Sequence, residues 1–569
     1  MTDRSQAHHV LNNARPVWAH SIAEAALAIR EGRLTPMDFV EACIARSGEV
    51  DPMVHSYLHL DADAARRLAP LAAAEIAAGR DRGVLHGLPF AVKANYDVAG
   101  LPSCAGSRLL LDRRPATDAR LVAQLRERGA ICLGLLSTWE YGTGNGGEYF
   151  DLPFAPARNP WDTARFSGGS SAGCGAAVIA GTALFALGSD TTGSVRLPAA
   201  ATGTVGLIPT PGRLSLDGIL PNCYSLDVPG TFTRTAEDAA VLFGALGRFG
   251  PGETPPDVAA LASAGIAGLK IAVLRDPGHG FPQPDAPLAA GFEAALRVLQ
   301  ALGARLVDVH LPVPAAECLA VTRMIGPAES ASIHERDLHE RPDLMGFALR
   351  DKLLGGSLVT AVDYLAALRR RAQIAQGLHD LLDQCDALVT FGTLHLPPRL
   401  GVEPEMTAYT VETMLTPFNL SGNPALVQCT GFSAERLPLH WQVVARQGHE
   451  VDLLRVAIAY ERATGWRDHL PVPTPHPPPP TRAAQVPPAS GVSIEELAGY
   501  ARRHGLERLD PAQLSRMREL VAPVAAHGIA VRRIDDKHQG PYRETWADRQ
   551  FSAARQIADD QQPKGTQHD

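Results

Sequence analysis

Apolar positions recur at helical spacing near the start of the chain and give way to short continuous runs further in. Behind Ser21-Ile22-Ala23-Glu24 they return at helical intervals, and the serine-to-glutamate spacing is that of a capping box, so a helix starts there. Thr35-Pro36-Met37-Asp38 predicts a second helix with proline at its first position. The segment Gly87–Asn95 reads as a buried strand, Ala119–Arg128 as a helix and Ile131-Cys132-Leu133 as another strand. Leu184–Leu187 and Lys270–Leu274 add further short apolar strands. Strand and helix patterns alternating in this way predict an α/β fold: a mixed, mainly parallel central sheet covered by helices.

The pattern changes twice more. Residues 315–382 are helix-rich, with Val362–Leu378 the clearest helix. At Pro471 the composition turns to proline, which predicts an extended, semi-rigid linker over residues 471–490. Beyond it, Ser493-Ile494-Glu495-Glu496 predicts a helix stopping near Gly505. Asp510-Pro511-Ala512-Gln513 opens another, with Leu514, Met517, Leu520, Val521 and Val524 on one face and Gly528 past its end. Two such helices bury too little to stand alone, so they are expected to dock on the main body or on another subunit. The expected organisation is a flexible N-terminal segment (1–20), a main folded domain (21–470), the linker (471–490), a small helical region (491–549) and a disordered tail (550–569).

Candidate chemistry concentrates between Phe166 and Ala199. Two glycine-rich turns, Gly168-Gly169-Ser170-Ser171-Ala172-Gly173 and Gly188-Ser189-Asp190-Thr191-Thr192-Gly193-Ser194, flank one helix and one strand. That length returns Ser170 and Ser194 to the same end of a sheet. Successive backbone N–H groups in such a turn form an anion-binding concavity, and a serine nucleophile needs those donors and an activating base. Lys93, delivered by the strand within Gly87–Asn95, is the candidate base. An unperturbed lysine is neutral in roughly one molecule in a few thousand at neutral pH, but burial and competing positive charge lower its pKa.

These blocks resemble the amidase signature family of serine hydrolases. The likeness continues through Gly203–Arg213, Ser225-Leu226-Asp227, Arg234–Asp238 and Phe418–Ala425, and covers roughly residues 21–470. The resemblance implies a Ser-cisSer-Lys triad: Ser194 as nucleophile, Ser170 as bridging serine and Lys93 as base. It implies an oxyanion hole from the backbone N–H groups of Thr191, Thr192, Gly193 and Ser194. It also implies that the variable central region builds the substrate pocket, and that the loop of Tyr141, Gly142 and Gly144 borders the nucleophile. The chain departs from the family pattern at Thr192, where glycine is common, at Cys174, Ser167 and Ile208. None of these removes a triad member; together they bear on substrate identity.

Two other readings of the glycine turns compete. Gly169-Ser170-Ser171-Ala172-Gly173 also fits a nucleophile elbow centred on Ser171, which needs a downstream acid and a histidine such as His279 or His395. A phosphate-binding loop is weaker, since no Gly-Lys-Ser/Thr follows either turn. The formal net charge of −8 gives no electrostatic case for nucleic acid. The eight cysteines show no Cys-x-x-Cys pair and read as free, mostly buried thiols, with Cys174 a packing residue near the site. Neither cysteine nor histidine spacing suggests a metal, and no cofactor is expected. Met1–Arg15 lacks a signal-peptide core and no run suits a membrane span, so a cytoplasmic protein without membrane association is expected. The expected activity is hydrolysis of a small-molecule amide, extending to ureido or carbamate bonds. The alternative is the glutaminase-bearing A subunit of a glutamine-dependent amidotransferase. The sequence leaves a homodimer open.

Overall fold

The computed structural model describes residues 15–143, 151–477 and 493–532. Both N-terminal capping boxes form. Ser21 and Glu24 exchange side-chain and backbone hydrogen bonds at the head of helix Ile22–Arg30, and Thr35 and Asp38 do the same at the head of Pro36–Val54. These helices turn Ile22, Ala25, Phe39 and Val40 inward onto the sheet and leave charged residues outside.

The sheet has eleven strands. In spatial order they are Tyr57–Leu60, Ile131–Leu136, Pro89–Lys93, Phe185–Asp190, Val228–Thr233, Val205–Ile208, Ala425–Phe432, Pro438–Val444, Ala387–Thr390, Lys270–Leu274 and Arg305–Val309. The α/β class is as expected, but the sheet is not mainly parallel. Only Pro89–Lys93 and Lys270–Leu274 pair in parallel with both of their neighbours, and every other pairing is antiparallel. The reason lies in the connections. Helical crossovers give parallel neighbours, whereas the short turn between Phe432 and Pro438 folds its strands back as a hairpin. The strands carrying the proposed chemistry, Pro89–Lys93 and Phe185–Asp190, lie side by side and are buried along their whole length. The last strand, Arg305–Val309, is an edge and is largely exposed.

Four elements form the wall above the serine turns: helices Ala315–Ile333, Phe347–Gly356 and Ala361–Leu382, and the C-terminal helix Pro511–Arg532 packed against all three. The C-terminal helices therefore dock on the body of the same chain. Leu497, Ala501, Leu506, Leu509 and Met517 share a buried cluster with Leu338, Met345, Leu349, Leu353 and Leu354. Helix Ile494–Arg503 ends just before Gly505, which takes φ +70°, as expected. Gly528 does not end its helix, which runs on to Arg532. A Cβ at Gly528 would lie 3.0 Å from Asp363 Oδ1, so glycine serves close helix packing there rather than termination. Residues 478–490 of the linker, the two residues after it and the residues beyond 532 lie outside the described residues, as does most of the N-terminal segment.

Candidate active site

The Asp190–Ser194 turn is held by a buried carboxylate. Asp190 Oδ1 accepts from the Gly193 N–H at 2.7 Å and from Asn419 Nδ2 at 2.7 Å, while Oδ2 accepts from the Val195 N–H at 3.0 Å. Arg196, wholly buried, pairs with Asp190 at 3.1 Å and reaches on to Gln442 Oε1 at 2.6 Å and the Leu415 carbonyl at 3.0 Å. Burial alone would raise the Asp190 pKa. The Arg196 charge and the converging donors outweigh it and hold the carboxyl below its usual value. Two motif residues thus rigidify the loop that presents Ser194.

Lys93 ends its strand beneath this turn. Its Nζ donates to Ser170 Oγ at 2.7 Å and to Ser189 Oγ at 3.0 Å, and Asn95 Nδ2 also donates to Ser189 Oγ at 3.1 Å. The side chain is fully buried. Burial lowers its pKa to about 8, against the opposing pull of Cys174, Asp227 and Asp190. Competing positive charge, the other cause expected from the sequence, does not contribute; desolvation is the cause. The Gly169–Ser170 peptide is cis. The Ser171 N–H donates to the Ser194 carbonyl at 3.2 Å, which ties the two serine turns together.

Ser194 lines a cavity of about 120 Å³ together with Thr191, Thr192 and Gly193. Its hydroxyl makes no hydrogen bond to another described residue. Of the four N–H groups expected in the oxyanion hole, that of Gly193 is committed to Asp190. That bond takes it out of the set and leaves Thr191, Thr192 and Ser194. Gly142 also lines the cavity, so close to the buried pair that a Cβ there would lie 3.3 Å from Ser170 Oγ. Tyr141 is placed differently: at φ +48° its ring packs edge-on against His334, 4.3 Å between centroids, and does not line the cavity. Gly144 lies outside the described residues.

The elbow reading finds no support in the contacts of Ser171. That residue is fully buried and its hydroxyl donates to the Ser189 carbonyl at 3.1 Å. His395 instead sits between Asp285 at 3.3 Å and Glu412 at 2.6 Å. Cys174 is a buried packing residue whose thiol points at the Leu187 carbonyl, 3.5 Å away.

Several site residues carry little or no signal in the sequence. Ser189 and Asn95 adjoin the motifs, and that adjacency is the available signal. Asn222 has none: its amide donates to the Gly142 carbonyl at 3.2 Å and to Thr191 Oγ1 at 3.1 Å, bridging loop and turn. Thr191 Oγ1 in turn donates to Asp227 Oδ1 at 2.6 Å. Lys352 and Arg323 reach the cavity from separate helices.

A mixed sheet brings a buried lysine and two serine turns to one point, and comparison with known proteins places the chain among the carbon–nitrogen hydrolases. The amidase family profile matches residues 38–454. The chain is 34% identical over 482 residues to the A subunit of glutamyl-tRNA(Gln) amidotransferase from Chloroflexus aurantiacus, covering 79% of this chain and 98% of that protein. A solved amidase structure superposes with a TM-score of 0.70 at 32% identity, covering 78% of this chain and all of the other. The 6-aminohexanoate cyclic dimer hydrolase complexed with substrate superposes with a TM-score of 0.71 at 26% identity, covering 80% and 99%. The chain belongs to the amidase signature family. No helix among the described residues is long and apolar enough to cross a membrane.

Proposed function

We propose that the protein hydrolyses a small-molecule amide, with reach to ureido or carbamate bonds, through Ser194, Ser170 and Lys93. The observation that carries this reading is the 2.7 Å hydrogen bond from a buried, pKa-lowered Lys93 to Ser170 beside the turn of Ser194. Neutral Lys93 takes the Ser170 proton while Ser170 takes that of Ser194, and Ser194 Oγ bonds to the substrate carbonyl carbon. The oxyanion that forms is met by the N–H groups of Thr191, Thr192 and Ser194. On collapse the carbon–nitrogen bond breaks, and the proton held on Lys93 returns through Ser170 to the leaving nitrogen. Water, deprotonated by the same relay, then attacks the acyl carbon and releases Ser194.

An uncharged fluorophosphonate tests this reading. Peptide mapping should locate the adduct on Ser194, and Ser194→Ala should lose both label and amide turnover. A label on Ser171 would overturn the assignment. Similarity to the amidotransferase protein supports a second reading, in which the same site releases ammonia from glutamine for a partner protein. Glutamine hydrolysis that is weak for the chain alone and far exceeded by other small amides would decide against it.

A further inference from the structure

Two basic side chains line the cavity that Ser194 opens into, and their surroundings differ. Lys352 already has its partners: Nζ donates to Asn222 Oδ1 at 2.5 Å, and Asp227 and Glu329 lie within electrostatic reach. Arg323 has none. Among the described residues no carboxylate, carbonyl or hydroxyl accepts from its guanidinium, and burial lowers its pKa with no carboxylate opposing. The titratable neighbour it does have is His527 of the C-terminal helix, whose pKa is depressed by burial and then by Arg323, which keeps the imidazole neutral and leaves it unable to answer the charge.

A guanidinium stays charged under all ordinary conditions and presents a planar fork of N–H donors. Held in a partly desolvated wall without an anion, it costs stability that a bound anion would recover. Its placement is built rather than incidental. Leu319, Thr322, Arg323 and Gly326 recur at helical spacing, so one face of Ala315–Ile333 is turned into the cavity. With Lys352 offset by Asp227 and Glu329, the described residues of the wall leave the charge of Arg323 unanswered, which suits a planar monoanion.

We propose that Arg323 binds a carboxylate on the substrate, so that preferred substrates are short amides carrying an acid group on the part held in this cavity. The proposal rests on the amidohydrolase reading above and specifies its substrate class. A single charge-assisted pair in such a setting corresponds to ~10–100-fold in affinity.

The test compares malonamate, succinamate and glutaramate with acetamide, propionamide and butyramide by ammonia release, in wild type, Arg323→Met and Arg323→Lys. Wild type should favour the acid series in kcat/KM. That preference ratio should fall ~10–100-fold in Arg323→Met, mainly through KM, and recover in part in Arg323→Lys. A binding arm uses the fluorophosphonate: malonate, succinate or glutarate should slow labelling of Ser194 in wild type, and this protection should vanish in Arg323→Met. Labelling of Ser194 with no preference and no protection, or with both unchanged in Arg323→Met, overturns the carboxylate assignment alone. Absence of any label on Ser194 overturns the hydrolase reading beneath it.

Discussion

The turn that presents Ser194 and the wall that faces it are built in opposite ways. In the turn, Asp190 reaches Gly193, Val195 and Arg196, all within six residues, and every one of these contacts is buried. In the wall, Arg323, Lys352 and His527 come from three helices scattered over some two hundred residues, and one of those helices belongs to the C-terminal appendage. The turn is cross-linked by a buried carboxylate whose two oxygens are held by backbone N–H groups, Asn419 and Arg196. The wall leaves a charge unanswered, so its energetics depend on what is bound. On the proposed reading, chemistry resides where neighbouring motif residues and Asn419 over-determine one turn, and substrate choice where separate helices meet.

The sharpest way to break this division is to disable the turn's base. Lys93→Ala should lower turnover by ~10²–10⁴-fold on every amide, acid or neutral alike, since a general base acts on the reacting bond. A loss confined to one substrate series would move Lys93 from the chemistry to the wall. Next in size is the ion pair beneath the turn. Arg196→Met leaves the Asp190 carboxylate buried and unpaired, which should cost about 3–5 kcal/mol in urea unfolding. A loss near zero would mean that the turn is held by Asn419 and the backbone alone.

The pH profile separates two lysines that share one pKa. Burial pushes both Lys93 and Lys352 down to about 8. If neutral Lys93 is the base, kcat/KM rises with pH, gaining about tenfold per unit below that value and levelling above it. Lys352→Met should keep this acid limb. Its disappearance in that variant would assign the titration to the wall instead.

The smallest expected effect comes from the appendage. A chain ending at Leu470 should still label at Ser194, because among the described residues none beyond it makes a hydrogen bond to the turn. It should lose stability and gain a tendency to associate, since Leu338, Leu349 and Leu353 become uncovered. The acid-over-neutral preference should change by a few-fold as Arg323 loses its cover. If that chain is folded by circular dichroism yet fails to label, the appendage belongs to the catalytic machinery and the contrast between turn and wall collapses.

Local determinants in the sequence were enough for the capping boxes at Ser21 and Thr35, the buried strand ending at Lys93 and the two glycine turns. Each depends on spacing within a few residues, and spacing within a few residues is written directly in the chain. The C-terminal helices were legible as amphipathic for the same reason, although the stop assigned to Gly528 was not. That glycine answers to Asp363, a residue 165 positions earlier. The antiparallel centre of the sheet, the removal of the Gly193 N–H from the oxyanion set, the turning of Tyr141 onto His334 and the approach of Arg323 and His527 were decided only by tertiary structure. They depend on which distant surfaces meet, and a periodic pattern of apolar residues says that a face is buried without saying against what.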